Sequence, residues 1–124
     1  MTKEKMFENE IRDFLKKKKI YHWKQWSGNI KQGNRYIRVK SGLPDILGVL
    51  PNGILLGIEV KKEDGVISDI QKKTIAELNS QNAFCVVCYP KDFELLKFTI
   101  EELLENKKDI SEIRNTYFML SNNL

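Results

Sequence analysis

Apolar positions Phe7, Ile11, Phe14 and Leu15 recur at helical spacing among charged residues, and they predict a helix over residues 3–19. IYHW (20–23) reads as a short strand. WSGNIKQGNR (26–35) reads as a loop punctuated by glycine and asparagine, and RYIRV as a second strand. An apolar hairpin follows from about Asp45 to Lys62. EDGVIS (63–68) is a turn into a helix that runs from Asp69 to about Gln81. AFCVVCY (83–89) is a continuous β-type run and is expected to be a central strand. In KDFELLKFTIEELLENKK (91–108), Phe93, Leu96, Ile100, Leu103 and Leu104 form the inward stripe of an amphipathic helix. The stretch from Ser111 to Leu124 is read either as a further short helix or as a segment that packs on a partner. The order α-β-β-β-α-β-α predicts an α/β sandwich with a mixed sheet flanked by helices.

The hairpin carries Asp45, Glu59 and Lys61 on strands that should be apolar, so its register decides their chemistry. Strand side chains alternate faces, and a one-residue slip would separate the two acids. A two-residue Asn52-Gly53 turn would pair Asp45 with Val60. A three-residue Pro51-Asn52-Gly53 loop pairs Leu50 with Ile54, and therefore Asp45 with Glu59. Proline suits the first central position of a type I turn, and glycine the left-handed position of the bulge that follows. The expected register thus sets Asp45 beside Glu59, with Lys61 on the same face. Opposed carboxylates repel, and a divalent cation turns that repulsion into affinity. Hard oxygen donors in small number suit Mg²⁺ or Mn²⁺, and the Val60 carbonyl could add a third oxygen. Lys61 would then lie near a metal-bound water, where it could act as a base or stabilise charge.

Length and composition are those of one globular domain over residues 1–124, with 109–124 a C-terminal extension. No apolar run approaches the ~20 residues that span a bilayer, and MTKEKMFENE has no signal-peptide core, so a cytoplasmic protein with no membrane partner is expected. The net charge of +4 is unevenly spread: residues 16–40 hold nine Lys and Arg and no acid. A run of lysines at a helix end accounts for the first four. It does not account for Lys24, Lys31, Arg35, Arg38 and Lys40, interleaved with Trp23, Trp26 and Tyr36. Bases mixed with aromatics suit phosphates and unstacked bases, so this segment is expected to contact nucleic acid. Cys85 and Cys88 have CxxC spacing inside a strand-like run; with His22 the only histidine they make no four-ligand zinc site, and buried thiols are expected.

Gly42-Leu43-Pro44-Asp45 followed by Ile58-Glu59-Val60-Lys61 resembles the PD-(D/E)XK nuclease signature. The wider pattern is Lys40-Ser41-Gly42-x-Pro44-Asp45, Glu59-Val60-Lys61, Gly65, Ser68-x-x-Gln71 and Tyr89-Pro90. It resembles most the VRR-NUC branch, in particular the stand-alone members of phages and prophages. The resemblance runs from about Glu4 to Ile100. It implies a restriction-endonuclease-like α-β-β-β-α-β core and metal-dependent hydrolysis of DNA phosphodiesters. Asp45 and Glu59 would hold Mg²⁺ or Mn²⁺, and Lys61 would position or activate water. A glutamate of the first helix would lie near the metal, Glu8 fitting best and Glu4 being its rival. Gln71 is either half of a capping box with Ser68 or a group beside the active site touching Lys61 or the scissile phosphate; the two readings are partly compatible. Lys40 and Ser41, with Lys24, Lys31, Arg35 and Arg38, would track the phosphates. Stand-alone members resemble junction resolvases, which implies a homodimer on branched or junction-containing DNA, since a two-fold substrate calls for two related sites. The alternative is a non-catalytic DNA-binding or protein-interaction module on the same fold.

Overall fold

A computed structural model describes residues 1–122. Helix α1 spans Lys3–Lys17 and is capped by Thr2, whose hydroxyl accepts from the Lys5 N–H at 3.1 Å. Strand β1 is Tyr21–Lys24, β2 Gly28–Gln32, β3 Arg35–Val39, β4 Ile46–Val49 and β5 Leu55–Val60. Helix α2 (Asp69–Ser80) crosses over to β6 (Phe84–Cys88); a short 3₁₀ turn, Pro90–Asp92, leads into α3 (Phe93–Glu105) and α4 (Ile110–Ser121). The main sheet has the order β1-β4-β5-β6, antiparallel except for the parallel β5–β6 pair joined through α2. This is the expected α/β fold, a mixed sheet flanked by helices, consistent with a restriction-endonuclease-like core.

The alternation of β5 sorts the two layers. Leu56, Ile58 and Val60 face α1, α3 and α4, packing with Phe7, Ile11, Leu15, Phe84, Val86, Leu96, Ile100 and Tyr117 in the larger core. The other face is thinner, and α2 covers it with Ile75 set against Cys85 and Val87. Cys85 and Cys88 thus lie on opposite faces of β6, both buried and unbonded to each other. Burial pushes both thiols up to about 12, with the charge of Glu59 adding to the effect at Cys85.

Two expectations need correction. The stretch expected to be a loop over 26–35 contains a strand, β2, and RYIRV does not join the main sheet. Instead β2 and β3 pair with each other as a separate two-stranded ribbon, from Gly28 opposite Val39 to Gln32 opposite Arg35. Gly33, at φ +64°, opens its two-residue turn. GNIKQ reads as a loop because a ribbon exposed on both faces needs no run of apolar residues to form. The helix expected over 91–108 is also shorter, since Pro90 starts a 3₁₀ turn and Asn106 ends α3 in a left-handed conformation at φ 56°.

The C-terminal segment is integral to the core. Ile110, Ile113 and Tyr117 of α4 are buried, and the Tyr117 hydroxyl donates to the Val87 carbonyl at 2.8 Å. Of the extension expected over 109–124, the last two residues lie outside the described ones. Among the described residues, no helix is long and apolar enough to cross a membrane.

Candidate active site

The hairpin has the three-residue loop. Leu50 N–H donates to the Ile54 carbonyl at 2.9 Å, Gly53 sits at φ +87°, and Ile46 stands opposite Ile58. One step further along this register Asp45 stands opposite Glu59. Their carboxyl groups lie close enough that Asp45 raises the cost of charging Glu59, and the Val60 N–H donates to Asp45 Oδ2 at 2.8 Å. The pair sits at one end of the sheet, where β1 and β5 finish and β4 begins.

Glycines place the corner that carries Asp45. A Cβ on Gly57 would stand 2.9 Å from Cys85 Sγ and 3.1 Å from Pro44 Cγ, so only glycine lets Pro44 lie against β5. Gly42, at φ +81°, would bring a Cβ to 2.8 Å from Thr74 Oγ1 and 2.9 Å from the Ile70 carbonyl. The segment before Asp45 is therefore pressed onto both α2 and β5.

Glu59 is 2% exposed. Burial chiefly, then the hydrogen bond to Asp45 and the charge of Asp45, push its carboxyl up from 4.5 to about 9; Glu4 adds to the rise and Lys61 opposes it. Burial beside Asp45 thus favours the protonated form of Glu59 when no cation is present. Replacing that proton with a divalent ion suits the donor set. Val60 sends its N–H towards Asp45 while the Lys61 N–H turns to the Cys88 carbonyl at 3.1 Å. A strand residue sends its N–H and C=O to the same edge, so the Val60 carbonyl points to the Asp45 side, beyond the last β4–β5 pair. Two carboxylates and this carbonyl are hard oxygen donors of the kind Mg²⁺ and Mn²⁺ take, with water completing the shell. Among the described residues, no three His, Cys, Asp or Glu side chains converge closely enough to hold a metal unaided.

The helix-1 acids divide between two environments. Glu8 is buried and bonded to two lysines, Lys24 Nζ at 2.6 Å and Lys5 Nζ at 3.3 Å. Glu4 lies close enough to Glu59 to raise its carboxyl. Lys24, expected among the phosphate contacts, sits between two acids, 2.6 Å from Glu8 Oε1 and 3.8 Å from Asp45 Oδ1. The signal for this was the alternation of β1, which turns His22 and Lys24 towards α1. Lys5 was missed, since a lysine in the first turn of a helix carries no pattern of its own.

Gln71 and Ser68 form the capping box. Gln71 Oε1 accepts from the Ser68 N–H at 2.9 Å, and Ser68 Oγ from the Gln71 N–H at 3.2 Å. Only the Gln71 amide nitrogen is left to reach outward. A further support escaped sequence reading: the Tyr89 hydroxyl donates to the Gly65 carbonyl at 2.9 Å, and a Cβ on Gly65 would stand 3.2 Å from Lys61 Cδ. Tyr89 thus pins a loop against the stem of Lys61.

The other expected DNA contacts lie on the ribbon and on the segment that leads from it to Asp45. Lys31, Arg35 and Arg38 are exposed on the ribbon, and Lys40 and Ser41 follow it. Asn29, Arg38, Val39, Lys40 and Ser41 line an open cleft of about 250 Å³.

No curated protein matches the sequence. Residues 1–92, which hold every residue of the site, match the VRR-NUC domain, a nuclease-type domain that acts on DNA. The paired acids, the lysine two residues on and the basic segment that precedes them therefore stand in a chain that belongs to the VRR-NUC domain family.

Proposed function

We propose that this protein is a Mg²⁺- or Mn²⁺-dependent endodeoxyribonuclease of the PD-(D/E)XK type, close to the stand-alone phage and prophage members. In this reading it cuts DNA by structure, on branched substrates such as four-way junctions, as a homodimer. The reading is carried by one observation: Asp45 and Glu59 stand in register side by side, and Val60 presents its N–H to Asp45. Asp45, Glu59 and the Val60 carbonyl would hold the ion. Bound there, it would polarise the scissile phosphate and stabilise developing negative charge. Lys61, held by the Gly65 loop, orients the attacking water and offsets charge at the phosphate. Glu8, or its rival Glu4, tunes the charge around the acids, and the Gln71 amide nitrogen can donate to a phosphate oxygen. Lys31, Arg35, Arg38, Lys40 and Ser41 bind neighbouring phosphates, which gives affinity without sequence readout.

The test is a cleavage panel over duplex, nicked, flap and four-way DNA with Mg²⁺, Mn²⁺, Ca²⁺ or EDTA, run beside a solution mass measurement. Cutting that needs Mg²⁺ or Mn²⁺, disappears in Asp45→Asn and is strongest on branched DNA is the expected result. Full activity in Asp45→Asn or in EDTA would overturn the assignment. A non-catalytic DNA-binding or protein-interaction module is favoured by one observation, the commitment of Glu8 to two lysines instead of an open acidic cluster. Tight DNA binding with no cleavage of any substrate would select it.

A further inference from the structure

β1 is an edge strand, and its register decides what stands beside the acids. Tyr21 is opposite Val49 and Trp23 opposite Leu47. Gln25 continues the pairing, its N–H donating to the Asp45 carbonyl at 2.8 Å. By alternation, Tyr21, Trp23, Val49, Asp45 and Glu59 therefore share one face of the sheet. Helix α2 covers that face only at its far side, over Cys85 and Val87. The near side stays open: Tyr21 is 75% exposed, Val49 40% and Trp23 37%, with Trp26 at 62% just past the strand end.

These rings belong to neither core cluster. Tyr21 and Trp23 meet edge to face, with centroids 6.1 Å apart. The Trp23 indole N–H is already used, donating to Gln25 Oε1 at 2.8 Å, and Gln25 Nε2 donates to the Trp26 carbonyl at 2.8 Å. What remains on offer is ring surface. At the strand end the Lys24 ammonium, on the α1 side of β1, stands 5.8 Å from the Trp26 centroid and 3.8 Å from Asp45 Oδ1, so Trp26 marks the rim between this face and the acids. The surrounding segment 16–40 has nine bases and no acid, which complements a polyanion.

We infer that this open face is a stacking shelf for unpaired nucleobases, so that a single-stranded segment lies on Tyr21 and Trp23, with Trp26 at the rim, while its adjoining phosphate reaches Asp45 and Glu59. The inference rests on the nuclease reading for the role of the acids, but the shelf can be tested by binding alone. Every base has a π face, so the shelf accepts any sequence and rejects a closed duplex, whose bases are already stacked. An edge of rings beside cations selects splayed strands at a branch, and this supplies a structural basis for recognising DNA by shape.

The test uses the full chain in EDTA, at fixed salt, with DNAs of equal length carrying 2-aminopurine in an unpaired or a paired position. Quenching confined to the unpaired position is expected, with on the order of tenfold tighter binding of splayed than of fully paired DNA. Trp26→Ala and Tyr21→Ala, both at exposed positions, should shrink this preference while leaving the salt dependence of binding unchanged. Trp23→Ala should do the same, and Trp23→Phe should restore most of it. Equal binding of the two DNAs, or an unchanged preference in folded Trp26→Ala and Tyr21→Ala proteins, would overturn the shelf. Metal-dependent cleavage lost in Asp45→Asn without any stacking preference would remove the shelf and leave the nuclease. Stacking without cleavage would do the reverse.

Discussion

The Lys24 ammonium lies 2.6 Å from Glu8 Oε1 and 3.8 Å from Asp45 Oδ1, between two acids expected to face a metal. The Glu8 side chain is 5% exposed and that of Lys24 22%, so water offsets little of the charge if the pair is broken. Lys24→Met should therefore destabilise the metal-free protein by about 1–3 kcal/mol, between the ~0–1 kcal/mol of an exposed pair and the ~3–5 kcal/mol of a fully buried one, since Lys5 still faces Glu8. Freed from Lys24, Glu8 and Asp45 should bind Mn²⁺ more tightly. Thermal melts with and without Mn²⁺ would check both effects, and the Mn²⁺-induced rise in Tm should be larger in the variant than in the native chain.

The raised Glu59 carboxyl sets the sign of a pH effect. Its value moves from 4.5 to about 9 on folding, so folding takes up a proton between those limits. The contribution to stability is complete below pH 4.5 and is lost as pH climbs to about 9. In EDTA the protein should melt several degrees higher at pH 5.5 than at pH 8 on this account, and Glu59→Gln should narrow the gap. Mg²⁺ or Mn²⁺ should raise Tm more at pH 8 than at pH 5.5, because the ion competes with the proton. Melting curves that show no such pH-dependent response to metal would count against the paired acids as ligands.

Gly57 is the point where Pro44 meets β5. Gly57→Ala should cost about 1–3 kcal/mol from overpacking against Cys85 and Pro44, and should lower metal affinity by moving Asp45 away from Glu59. Gly48→Ala, whose Cβ would stand 2.7 Å from the Tyr21 carbonyl, should cost as much in stability by pushing β1 away from β4. Denaturant unfolding and Mn²⁺ titration of the two variants would separate misplacement of Asp45 from general destabilisation.

Tyr89 acts on Lys61 only through Gly65. Tyr89→Phe removes the 2.9 Å bond to the Gly65 carbonyl and should cost about 1 kcal/mol of stability. If Lys61 orients water in the cleavage step, turnover should fall while KM for DNA stays near the native value. Steady-state cleavage kinetics would check this, and Lys61→Ala should produce a much larger loss in turnover.

Much of this architecture is legible in the chain because it is local. Pro51-Asn52-Gly53 specifies the hairpin loop, and through its parity the pairing of Asp45 with Glu59. Ser68 and Gln71 close the end of α2 by contacts three residues apart, and the stripe Phe7, Ile11 and Leu15 marks the buried face of α1. The ribbon was harder to read, since GNIKQ carries turn-forming residues and has no buried face to impose alternation.

Turn chemistry and hydrophobic period, acting over a few residues, determined the helices, the hairpin register and the two acids placed side by side. Only the tertiary structure decided that Lys24 meets Glu8 across sixteen positions, that Glu59 is buried deeply enough to hold its proton, and that Gly57 admits Pro44. It also decided that α2 leaves the β1 side of the sheet open, with its aromatic rings exposed. Each of these depends on which elements pack together and on how much water they exclude, quantities that no short window of sequence contains.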